Sequence, residues 1–223
     1  MELFNLKITN TAVLTLVIGL FVFILFFLCF RKPRLIPRRW QNFGEWILEK
    51  LYNYFDSITQ NKQKTREIFP LAATLFILIL SCNLLELAPG LGVFPILRSP
   101  SSDLNFTLAL AIFSIVFINL AALKKLGFFS YLKKFINLKN PILFFVGVLE
   151  SIGELVRVCS LAIRLFGNLL AGEILLMVVS FLFAYILPLP FLGLEILVAF
   201  IQALIFSSLI VIFYSTAVEH LEH

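Results

Sequence analysis

Charge is scarce in this chain. Only 14% of its 223 residues are Asp, Glu, Lys or Arg, 61% are hydrophobic, and the mean hydropathy is +1.01. A soluble domain carries roughly 25% charged and about 45–50% apolar residues, so a water-soluble globular fold is excluded and a polytopic, all-α membrane protein is expected. Cysteine is equally sparse. Cys29, Cys82 and Cys159 all lie in apolar segments, are odd in number and lack metal-ligand spacing. That pattern argues against a disulfide framework or a zinc site and reads as small apolar filler. No phosphate-binding glycine loop is present, so this chain is expected to carry no nucleotide site, metal or other cofactor. A cleavable leader is not expected either. The first apolar run ends in RKPRLIPRR rather than at small residues, so it is read as a retained span. The net charge of +5 is no nucleic-acid signal, because the basic residues cluster beside the apolar runs.

What is present is a series of helix-length apolar stretches. A first span is expected over 11–30, followed by a basic connector with Arg31, Lys32, Arg34, Arg38 and Arg39, in which Pro33 and Pro37 prevent a continuous helix. Over 41–58, Phe43, Trp46, Ile47, Leu51, Tyr54, Phe55 and Ile58 fall on one side of a helix and Glu45, Glu49, Asn53 and Asp56 on the other. This periodicity predicts an amphipathic helix on the membrane surface. A second span is expected over 70–87, opening on Pro70 as a first-turn residue. A Pro- and Gly-rich loop covers 88–103, and a third span covers 104–123, followed by a second basic section with Lys124, Lys125, Lys133, Lys134 and Lys139.

These charges predict sidedness. All lysines and arginines except Lys7, Arg98, Arg157 and Arg164 fall on one side if the chain crosses at each of the three spans. The positive-inside rule puts that side in the cytoplasm, or in the matrix or stroma of an organelle, and the N-terminus and the 88–103 loop outside.

From 142 to 186 there is no proline and no polar turn cluster. A single helix of that length would measure about 68 Å, against a hydrocarbon core of about 30 Å. Two readings follow, two spans with a disguised turn or one long, steeply tilted helix. The preferred one is a tilted hairpin, with Pro188 and Pro190 at the turn and a second long helix over 191–218.

The hairpin carries charges where they are costly. Each charge at the bilayer centre costs about 2.5–3.5 kcal/mol on insertion scales, so these side chains need partners or water. At 100° per residue, Glu150, Glu154, Arg157, Arg164 and Asn168 lie within a stripe about 80° wide, while Glu173 points to roughly the opposite face. On the second helix Glu195 and Gln202, seven residues apart, share a face. The plain alternative is that Arg157 and Arg164 pair with glutamates and only hold helices together. Arg164, however, has no carboxylate three or four residues away, so its partner belongs to another helix or another protein. Glu173 and Glu195 read as carboxylates lining a hydrated path, since burial and nearby cations tune such groups to hold and release protons.

At this point the sequence resembles a known family. RLFGN at 164–168 followed by LLAGE at 169–173, then IQALIF at 201–206, is similar to subunit a of F-type ATP synthases, the stator half of a proton channel. NLLELAP at 83–89, SSDLNFTLALA at 101–111, ITNT at 8–11 and IPRRWQNFGEWI at 36–47 extend the resemblance over essentially the whole chain. It implies two long tilted helices against a ring of c subunits, with Arg164 facing the ring carboxylate and Asn168 and Gln202 near the same contact. It also implies an outer half-channel through Glu173 and Glu195. Many members carry a histidine in that pair, but here the only histidines are His220 and His223, so a histidine relay is excluded. Glu150, Glu154, Arg157 and Ser160 are candidates for the inner half-channel. The implied partners are the c ring, the subunit b stalk and the other synthase subunits. The implied location is a bacterial plasma membrane, with mitochondrial inner or plastid thylakoid membranes as alternatives. The competing class, a stand-alone secondary transporter or antiporter, would be expected to show internal repeats, and no convincing repeat is visible.

Overall fold

The computed structural model describes residues 2–3, 6–7, 10–30, 39–86, 100–126, 141–182 and 188–219. The expected connectors at 31–38 and 127–140, the loop up to residue 99, residues 183–187 and the two histidines lie outside the described residues, while Pro188 and Pro190, expected at the hairpin turn, instead form the first turn of the last helix, where a proline's missing N–H costs nothing. A small antiparallel ladder pairs Glu2–Leu3 (β1) with Leu6–Lys7 (β2), in register Glu2 to Lys7. Six helices follow: α1 Asn10–Phe30, α2 Arg39–Thr59, α3 Lys62–Glu86, α4 Leu104–Leu126, α5 Pro141–Leu182 and α6 Pro188–Glu219. A 3₁₀ turn, Pro100–Ser102, leads into α4.

Four helices carry apolar stretches long enough to cross a bilayer: Lys62–Leu85, Leu104–Lys125, Ser151–Leu182 and Pro188–Val218. A shorter apolar stretch, Ala12–Phe27, lies in α1. Apart from the short terminal ladder, the described chain is helical, and it is a polytopic all-α membrane protein. Large apolar side chains such as Phe21, Phe113, Phe117 and Phe181 point outward, and the packed interior combines large ones such as Phe55, Ile79 and Leu165 with the small Ala72, Ala111, Ala162, Ala199 and Ala203. An apolar exterior suits lipid, and the buried alanines suit close backbone approach between helices.

Two helix starts have clear local causes. Asp103 accepts the Asn105 N–H on its side chain at 2.9 Å and so caps α4. The start of α3 differs from the sequence expectation. The helix begins at Lys62, eight residues before Pro70, which lies inside it. Asn61 sets this start, its side-chain oxygen accepting the Gln63 N–H at 3.0 Å and, more weakly, the Lys64 N–H at 3.4 Å. The elbow between α2 and α3 is a compact polar knot. Gln60 takes a positive φ of 51°, its N–H reaches the Asp56 carbonyl, and the Thr65 hydroxyl donates to Asp56 Oδ1 at 2.9 Å.

The apolar side of α2 divides in two. Leu51 and Phe55 bury against the bundle, while Trp40, Phe43 and Trp46 face outward, as aromatic anchors at a membrane surface do. One turn of α2 is tied to the bundle where the Tyr54 and Ser208 hydroxyls share a hydrogen bond at 3.1 Å.

Over its described part, up to Leu182, the 142–186 stretch is one helix. α5 runs unbroken for 42 residues, about 63 Å at 1.5 Å per residue, and α6 for 32 residues. Of the two readings left open by the sequence, the disguised turn does not occur among the described residues. α6 packs mainly on α3 and α4 packs on α5, leaving one long side of α5 uncovered.

Candidate functional site

The uncovered side of α5 carries Arg164. It is exposed, as are Ile163 beside it and Ile152, Leu155 and Val156 two to three turns earlier on α5. Its recorded hydrogen bond goes to Ser160 Oγ, one turn back on the same face, at a weak 3.5 Å. Among the described residues it forms no ion pair. Asn168 and Ala171 continue the exposed side toward the C-terminal end of α5, and Cys159 lies on it. Leu161, Leu165 and Leu169, from the opposite side, are buried. The helix is thus apolar inward and mostly apolar outward as well, with one arginine on its outer side, unlike the polar outer face of a soluble amphipathic helix.

Glu173 and Glu195 are brought together from the two arms of the hairpin. Glu195 is 6% exposed. Neither of its oxygens, nor Glu173 Oε2, meets a hydrogen-bond donor among the described residues, and the two carboxyls lie close enough to interact electrostatically. An unsatisfied buried carboxyl is costly. Each way of lowering that cost, a bound proton or contact with water, is what a proton-transfer station uses. The position of Glu195 depends on Gly172: a Cβ at residue 172 would collide with Glu195 Oε1 and stand 3.1 Å from its Cδ. Glycine here admits the carboxylate against the backbone of α5.

Gln202, two turns beyond Glu195 on α6, is also buried, at 8% exposure. It is turned into the bundle, whereas Asn168 is exposed. Sequence reasoning did not single out Asn83, which lies fully buried on α3. Its amide donates to the Ala199 carbonyl at 3.3 Å, between Glu195 and Gln202 on α6, and its Oδ1 has no donor among the described residues. The signal was available, since an asparagine in an apolar span is as anomalous as a charge. Ser101, in the turn before α4, adds a further buried hydroxyl without a partner among the described residues.

The remaining polar residues lie toward the other end of the hairpin. Glu154 Oε2 accepts from Asn119 Nδ2 of α4 at 3.1 Å. Arg157 sits over the Phe213 ring, 5.1 Å from its centroid, a cation–π contact to α6. Glu150 lies on α5, with its side chain outside the described set. Among the described residues no group of His, Cys, Asp and Glu converges in a way that would hold a metal ion.

This arrangement, an outward arginine on one side of a long helix and paired carboxyls on another, accompanies a sequence match to known proteins. The sequence model of the family described as ATP synthase A chain matches residues 12–215. The chain belongs to the ATP synthase A chain family. It is 34% identical to ATP synthase subunit a of Moorella thermoacetica over 221 residues, covering 98% of this chain and 96% of that one. It is 35% identical to the subunit a of Campylobacter jejuni subsp. jejuni over 190 residues, with 84% and 80% coverage, and 37% identical to that of Desulfosudis oleivorans over 194 residues, with 85% and 80% coverage. Family membership gives the outward arginine and the paired carboxyls a common setting, a membrane subunit of an ATP synthase.

Proposed function

We propose that this chain is the proton-translocating stator subunit of a rotary F-type ATP synthase, and that the exposed side of α5 is the surface against which a ring of c subunits turns. The observation that carries the reading is Arg164. A charge in a membrane span is expensive unless a partner or water relieves it, and Arg164 faces outward from an apolar helix side with no carboxylate among the described residues. A ring carboxylate is the complementary group. Arg164 would favour its ionised form by charge attraction and would repel protons from the gap between two half-channels.

In this reading protons reach the ring from the outer side past Glu173 and Glu195. Asn83, Gln202 and Ser101 supply further polar atoms near that route, and Asn168 lies beside the ring contact. Protons leave toward the inner side past Ser160, Arg157, Glu154 and Glu150. The ring carries each proton through the lipid between these two steps, so proton flow and rotation are coupled. The positive-inside pattern supports an N-terminus outside and the C-terminal end of α6 in the cytoplasm, and the bacterial relatives favour a bacterial plasma membrane. The subunit b stalk and the other synthase subunits are the expected partners besides the ring.

The test is Arg164→Ala in the assembled complex. Proton-driven ATP synthesis is expected to be lost while the complex still assembles, and Arg164→Lys is expected to rescue poorly, because lysine lacks the planar multi-donor head. Full coupling in Arg164→Ala would sink the reading. Recovery of the native chain as a self-contained transporter, without a c ring, would favour the antiporter class instead.

A further inference from the structure

We propose that the groove between the inner ends of α3, α4 and α6 is a binding site for an anionic phospholipid, with its phosphate at Lys124. The groove encloses about 480 Å³, within the range of small-molecule sites, about 300–1,000 Å³. Its wall is apolar, formed by Ile68, Phe117, Leu120 and Ala121, and its rim is polar, formed by Glu67, Lys124, Lys125 and Tyr214. The two chemistries are ordered along one helix. Phe117 lies seven residues before Lys124, about 10 Å deeper along the axis of α4. A phospholipid presents the same order, charge at the surface and hydrocarbon below it.

The charge of the rim selects among lipids. Glu67 Oε2 lies 2.9 Å from Lys125 Nζ and also accepts the Tyr214 hydroxyl. The Glu67 and Lys125 charges therefore offset one another. Lys124, at the last turn of α4, is exposed and meets no carboxylate among the described residues. The groove is left with one uncompensated positive charge at the level where a lipid phosphate lies. Basic pockets between membrane helices on the cytoplasmic side take anionic headgroups. A zwitterionic lipid would bring its own cation against Lys124. The inference rests on placing the C-terminal turn of α4 at the membrane surface and is independent of the ring contact.

The test uses the assembled complex in vesicles and two photoactivatable lipids, phosphatidylglycerol and phosphatidylcholine, each with a diazirine near the head of one acyl chain. Crosslinks are mapped by mass spectrometry. Phosphatidylglycerol is expected to label the Phe117–Ala121 stretch in preference to phosphatidylcholine. Lys124→Gln should lower that preference about fivefold, the effect of one lysine charge near a membrane surface, while Lys50→Gln on α2 leaves it in place. Equal labelling by both lipids, a preference that survives Lys124→Gln, or an equal loss in Lys50→Gln would overturn the site. So would the absence of adducts from either lipid, since the groove would then be covered by another subunit.

Discussion

Gly172→Ala places one methyl group where Glu195 now keeps its carboxylate. The added carbon collides with Glu195 Oε1, stands 3.1 Å from Cδ and meets Cγ at an ordinary 3.6 Å, so only the end of the side chain must move. Moving it off its preferred rotamer costs about 0.5–1.5 kcal/mol, too little to prevent folding or assembly. The geometry of the Glu173–Glu195 pair suffers more. A displacement of about 1 Å at a transfer site can cost up to a hundredfold in rate, so proton-driven ATP synthesis is expected to fall about ten- to a hundredfold. The assay is ATP synthesis in inverted membrane vesicles at fixed proton-motive force, normalised to complex recovered from the same membranes. Glu195→Asp shortens the acid by one methylene and withdraws it from the new methyl. The double variant Gly172→Ala/Glu195→Asp is therefore expected to regain much of the loss, giving the strong non-additivity of residues in contact. Wild-type synthesis in Gly172→Ala, or a double variant no better than the product of the two single effects, would refute the reasoning.

Two further outcomes follow from the interhelical contacts. Glu67→Gln removes the charge that holds both Lys125 and Tyr214, so thermal dissociation of the complex should occur a few degrees lower. The effect stays modest because the ion pair is partly exposed and screened, and Tyr214→Phe added to it should cost little more, since both act on one contact. Phe213→Leu keeps apolar bulk but removes the ring beneath Arg157, a loss of about 0.5–1 kcal/mol. Differential scanning of the assembled complex should register it, and a fully neutral substitution would remove the cation–π contact from the description.

Much of this architecture was legible in the order of residues. Apolar run length marked the four helices long and apolar enough to cross a bilayer, whereas the expected first span over 11–30 carries a shorter apolar stretch, Ala12–Phe27. The period of α2 was equally plain, although periodicity does not reveal that its apolar side is shared between the bundle and the lipid. Pro70 misplaced the start of α3, since the proline rule describes where a helix begins most cheaply, while Asn61 supplied a stronger cap nine residues earlier. At the site, helical arithmetic separated Arg164 from Glu173 and joined Glu195 to Gln202. It did not bring Glu173 and Glu195 together, because that meeting depends on how two helices of different length are offset across a turn. Gly172 was indistinguishable from an ordinary packing glycine for the same reason: its purpose is a side chain on another helix. Arg157 was weighed as an ion-pair residue from its glutamate neighbours, and only packing reveals the Phe213 ring beneath it.

The knot at Asp56, Gln60, Asn61 and Thr65 has a mechanical side. A stator is useful only if it stays still while something turns against it. α5 packs on α6, and α6 is tied to α2 where Ser208 meets Tyr54, so sideways load on α5 would pass to α2; with α2 lying in the interface as its period predicts, leaving it would drown the tryptophans or strand the acids in oil. A loose elbow would let α2 swing like an unbraced outrigger. The short polar braces across residues 56–65 would make it a stiff one, and the membrane itself would then be the anchor that bears the torque.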